Sequence, residues 1–68
     1  MRYFDYETAA REARIPADKL ARLAKLLADE TPNDPMLHEL HALRACMAIR
    51  DGRLTIEEAL AETEALAA

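Results

Sequence analysis

A chain of 68 residues with 9 basic and 13 acidic side chains and a net charge of -4 forms at most one domain, and one of this length buries roughly 60% of the surface its unfolded form exposes. Fifteen of its residues are alanine, which leaves twenty larger apolar side chains to build a core, and a Rossmann or barrel fold, a two-domain enzyme or an enclosed cofactor pocket needs more chain than this. The single cysteine rules out an internal disulfide, no apolar run reaches the length of a membrane span, and Met1-Arg2-Tyr3-Phe4-Asp5 lacks the apolar region of a signal peptide, so a reducing cytoplasm is the expected setting.

Valine, tryptophan, serine and glutamine are absent and glycine occurs once, while alanine, leucine, arginine and glutamate dominate. Strand formers are scarce and helix formers plentiful, so the composition predicts an all-α fold. Pro16, the Pro32 to Pro35 segment and Gly52 divide it into a compact array of four short helices within a single domain, 1–68.

The first helix is expected over about 5–14, with Asp5 as N-cap and Tyr6, Ala9, Ala10 and Ala13 on one buried stripe. Tyr3 and Phe4 precede it and are expected to fold back onto the core, because aromatics carry the largest buried area available. The second helix, about 17–30, has Pro16 suited to the first helical position. Its Leu20, Leu23, Ala24, Leu27 and Ala28 share one face, Asp18, Arg22, Lys25 and Asp29 the opposite one, and Leu26 falls outside the apolar arc as a pointer to a partner surface.

Asp34 is placed to cap the third helix, about 35–51, with Pro35 in its first turn and Gly52 in the left-handed position beyond its end. Leu37, Leu40, Leu43 and Met47 form one side, and Ala42, Ala45, Cys46, Ala48 and Ile49 cover most of the rest, as suits a central helix. The fourth helix, about 55–67, opens on the capping box Thr55-Ile56-Glu57-Glu58. Ile56, Ala59, Leu60, Thr63, Leu66 and Ala67 define its buried stripe, and it is expected to pack across the third helix. Glu57, Glu58, Glu62 and Glu64 leave its outer surface acidic, with the last two uncompensated near the negative end of the helix dipole.

Residues 1–30 carry six basic and six acidic side chains, whereas residues 31–68 carry three and seven, which accounts for the whole net charge. Such a chain is not a general binder of phosphate backbones, and a basic partner suits the C-terminal face better.

The segment from Tyr6 to Leu23 has small residues where two helices would cross (Ala9, Ala10, Ala13), an apolar residue in the turn (Ile15) and apolar anchors beyond it (Leu20, Leu23). It resembles the helix-turn-helix of bacterial regulators over about a quarter of the chain. Arg14 departs from that motif by standing where glycine is usual, at a position that often needs φ > 0. The resemblance implies that Pro16, Ala17, Lys19 and Arg22 would line the start of a recognition helix, with Arg11 and Lys25 near phosphates and Asp18 opposing them.

His38 and His41, three residues apart, are close enough on a helix to share one ion, but Cys46 lies on another face, so a zinc site would need Glu39, Asp34 or a second subunit. No resident metal or cofactor is expected. The chain has no serine nucleophile and no glycine-rich phosphate loop, Cys46 sits in a packed setting, and Asp29, Asn33 and Asp34 do not match the calcium-loop spacing, so catalysis is not expected. The expectation is a small cytoplasmic protein-interaction or regulatory module, using Leu26, Glu57, Glu58, Glu62 and Glu64 toward a protein partner or a second copy of itself. The alternative is a helix-turn-helix DNA-binding regulator using Arg11, Lys19, Arg22 and Lys25.

Overall fold

The computed structural model describes residues 3–67, apart from the Ala67 side chain, and contains α1 (Tyr6–Glu12), α2 (Ala17–Glu30), α3 (Pro35–Arg50) and α4 (Ile56–Ala67), with no strand among the described residues. The expectations placed on Met1, Arg2 and the Ala67 side chain lie outside them.

Side-chain caps open α1, α3 and α4. Asp5 caps α1 by accepting from the Thr8 backbone N–H at 3.2 Å and from the Thr8 hydroxyl at 2.6 Å. Asp34 caps α3 by accepting from the Leu37 N–H at 3.0 Å, with Pro35 in the first turn. The capping box of α4 is complete: the Glu58 N–H donates to the Thr55 hydroxyl at 3.1 Å, and the Thr55 N–H donates to the Glu58 carboxylate at 3.0 Å.

Two helices end in the same left-handed turn. After α3, Gly52 at φ 78 donates to the Ile49 carbonyl and Arg53 to the Ala48 carbonyl. After α1, Arg14 at φ 60 donates to the Arg11 carbonyl and Ile15 to the Ala10 carbonyl. Both are Schellman closures, one built on glycine and the other on an arginine that has to carry its Cβ into the left-handed region. Pro16 differs from its expected place: it is the N-cap of α2, at φ -58 and ψ 142, with its carbonyl accepting from Leu20. Proline fixes φ and leaves ψ free, so it serves the extended step out of the turn equally well.

Two clusters form the interior. Leu23 and Leu27 of α2, Ala42 of α3 and Ile56, Ala59 and Leu60 of α4 make the first, while Ala9 and Ala10 of α1 meet Cys46 of α3 in the second. Ile15 and Tyr6 pack against both. The alanines of α1 let it approach α3 closely, which is why its stripe of small residues faces that helix.

Three expectations are corrected here. The principal neighbour of α4 is α2, not α3, because its stripe meets the large Leu23 and Leu27, whereas α3 offers the first cluster only Ala42 as a fully buried member. Leu66 is 78% exposed, because it stands at the edge of the arc of Ile56, Ala59, Leu60 and Thr63, in the last turn of α4. Tyr3 is 45% exposed, so only Phe4 of the leading pair is partly buried.

The radius of gyration is 10.9 Å, against about 11 Å for a folded domain of this length. The accessible surface is 4508 Å², close to the roughly 4300 Å² of a monomer of this mass. Among the described residues no helix is long and apolar enough to cross a membrane.

Candidate interaction surfaces

The outer surface of α4 divides into two flanks of different character. On the flank that meets α2, the Lys19 ammonium lies 2.8 Å from the Glu57 carboxylate, and the Arg22 guanidinium bonds the Glu64 carboxylate. Glu57 and Glu64 are therefore compensated by basic residues of a neighbouring helix, contrary to the expectation of an unrelieved acidic face. The sequence shows a neutral half and an acidic half but not which helix of one lies against which helix of the other. The hydrogen bond from Lys19 holds the Glu57 carboxyl below its ordinary range and raises the Lys19 ammonium above its own. Both pairs are exposed, so salt weakens them.

The other flank makes no ion pair among the described residues. Glu58 and Glu62 are exposed, as are Ala61, Ala65 and Leu66. One Glu58 oxygen serves the Thr55 cap, and Glu62 has no partner among the described residues. At 100° per residue Glu58, Glu62 and Leu66 fall within an arc of about 80°, with Ala61 and Ala65 beside it.

Leu26, expected to point at a partner, is partly buried and packs against the first cluster. It sits beside the Lys19 and Arg22 side of α2, and α4 lies on that side, so a residue outside the first apolar arc acquires a second neighbour.

The face that sequence reasoning missed is on α3. Leu37 and Leu40, expected to share a buried side with Leu43 and Met47, join neither cluster, whereas Leu43 and Met47 pack against the second. Leu37, Leu40, His41 and Ala48 are partly buried, and Arg44 in their midst is exposed, with no partner among the described residues. All five lie within an arc of about 100°. A signal was present in the sequence: α3 is apolar nearly all round, which is more apolar surface than two helical neighbours cover. Of the ten leucines in the chain, only Leu23, Leu27 and Leu60 are buried.

The residues named for nucleic-acid contact are not equivalent. Lys19 and Arg22 are engaged by Glu57 and Glu64, Arg11 donates to the Thr8 hydroxyl at 3.2 Å, and Lys25 is exposed. Across α1 and α3, Arg50 pairs with Glu12 at 3.0 Å, and the Glu39 carboxylate accepts the backbone N–H groups of Tyr3 and Phe4 at 2.7 and 2.9 Å.

The candidate metal ligands are separated. Cys46 is fully buried, which pushes its thiol up. The His38 ring meets Tyr6 edge-on, with centroids 6.2 Å apart, and its buried Nδ1 has no hydrogen-bond partner among the described residues. His41 belongs to the outer strip of α3. Among the described residues no three His, Cys, Asp or Glu side chains converge to hold a metal, and no cavity opens between the helices.

Comparison with protein-family models, with curated proteins and with solved structures finds no match to this chain.

Proposed function

We propose that this chain is a small cytoplasmic protein-interaction or regulatory module that binds through its helical surface and performs no chemistry of its own. The observation that carries the reading is where the leucines lie: three of ten are buried, Leu37 and Leu40 join neither core cluster, and Leu66 is 78% exposed. Leucines left outside the core clusters, partly buried at helical spacing on α3 and exposed on α4, suit recognition of another protein where they stand beside exposed charges. A lone, fully buried cysteine suits a reducing compartment.

Affinity capture from the organism that encodes the chain tests the reading, comparing the native sequence with Leu40→Asp and Leu66→Asp variants whose helical content is unchanged. Capture of a defined protein, or of the chain itself, by the native sequence and its loss with either variant is expected. Equal capture by all three, or none by the native sequence, contradicts it.

A helix-turn-helix DNA-binding regulator is the competing reading, favoured by one observation: Arg14 adopts the left-handed turn conformation that the motif requires between its helices. The engagement of Lys19 and Arg22 by carboxylates opposes it. Under that reading duplex DNA shifts at low salt with a steep salt dependence, and Lys19→Ala with Arg22→Ala abolishes the shift. The interaction reading expects no shift at any salt concentration.

A further inference from the structure

Two helical faces of this molecule carry apolar side chains around an unpartnered charge, and the charges are opposite. On α3, Arg44 is exposed among Leu37, Leu40, His41 and Ala48. On α4, Glu62 is exposed beside Leu66, with Glu58, Ala61 and Ala65 around it. Neither Arg44 nor Glu62 has a partner among the described residues, although Lys19, Arg22, Arg50, Glu12, Glu57 and Glu64 are all paired across helices.

The geometry points to a second copy of this chain as the occupant of both faces, the Arg44 strip of α3 in one copy docking on the Glu62 flank of α4 in the other. This rests on the interaction-module reading and names its partner. Three considerations select a copy rather than an unrelated protein. Charge complementarity is present within the sequence itself, since the strip lacks the anion that the flank supplies. The faces are also of comparable length: residues 37 to 48 span about 16 Å of helix and residues 58 to 66 about 12 Å. Finally, a core whose large aliphatic members are Leu23, Leu27, Leu60 and Ile56 is small, and association of copies is a usual source of added stability at this size. A two-fold arrangement makes the contact twice, because each copy contributes one strip and one flank.

Charge reversal with mixing tests the pairing. Arg44→Glu leaves the α3 strip facing a like-charged flank, and Glu62→Arg leaves the α4 flank facing a like-charged strip, so each variant alone is expected to associate about tenfold or more weakly than the native chain. An equimolar mixture of the two restores both attractive contacts in one heterodimer and is expected to associate as the native chain does. Sedimentation equilibrium reads the mass, and circular dichroism confirms that each variant remains helical; both positions are exposed, so folding is not at stake. Native association that neither reversal weakens, or weakened variants that mixing does not rescue, overturns the pairing. A native chain that stays monomeric yet captures another protein through Leu40 or Leu66 overturns it too, while the interaction-module reading stands.

Discussion

Arg14 and Gly52 occupy the same place in two copies of one turn, and the difference between them is a side chain. An L residue in the left-handed region brings its Cβ close to the neighbouring carbonyl at a cost of about 1–2 kcal/mol, which glycine escapes while losing more freedom on folding. The Arg14 side chain has no partner among the described residues to offset that strain. Arg14→Gly is therefore expected to raise the urea midpoint by an amount equivalent to about 0.5–1 kcal/mol, and Gly52→Ala to lower it by a similar amount, although a Cβ at Gly52 meets nothing within 4 Å. A fall on Arg14→Gly would show that the arginine side chain contributes more than its backbone costs. This position was legible in the sequence, because glycine was missing where a tight turn between helices calls for it. Asp5, Asp34 and Thr55 with Glu58 were legible for the same reason: a cap and its N–H lie within three residues of one another.

At the scale of helices, the bounds and apolar stripes were readable and the pairing was not. The 3.6-residue period says which side of a helix is apolar, but not which other helix covers it, and the two departures in α4 follow from that. Packing on α2 turned Leu26 inward and brought Lys19 and Arg22 to Glu57 and Glu64, so residues assigned in the sequence to a partner surface also make contacts within the chain. The Lys19–Glu57 clasp sets a pH dependence. Glu57 is lowered in the folded state, so its contribution is present above the ordinary carboxylate value of 4.5 and is lost as pH falls through the lower folded value. Lys19 is raised, so its contribution is present below 10.5 and is lost as pH rises through the higher folded value. Between these limits this pair adds nothing to the pH dependence, and added salt should diminish its contribution throughout. Thermal midpoints of the native chain and Glu57→Gln, compared across pH and at low and high salt, check this: the difference should shrink at low pH and in high salt. A salt-independent difference would mean that Glu57 acts through something other than its charge.

For the whole molecule the composition is decisive. Fifteen alanines and ten leucines give four helices that approach closely and enclose little. The fold has the radius and surface of an ordinary compact chain of its mass. What it leaves outside the core clusters is a partly buried apolar strip on α3 and an exposed flank on α4, with Arg44 on the first and Glu62 on the second unpaired among the described residues. That division could not be seen in the sequence, where Leu37, Leu40 and Leu66 were indistinguishable from core leucines, since burial depends on neighbours that are distant in the chain. A core contributing roughly 3–5 kcal/mol makes stabilisation by association large enough to measure. The most direct measurement is the thermal midpoint of the native chain together with its scattering mass, followed over a ~100-fold range of concentration. Self-association predicts a midpoint that rises with concentration and a mass that climbs from the 7.6 kDa of one chain toward twice that value. A midpoint independent of concentration, with the mass of one chain throughout, would contradict it.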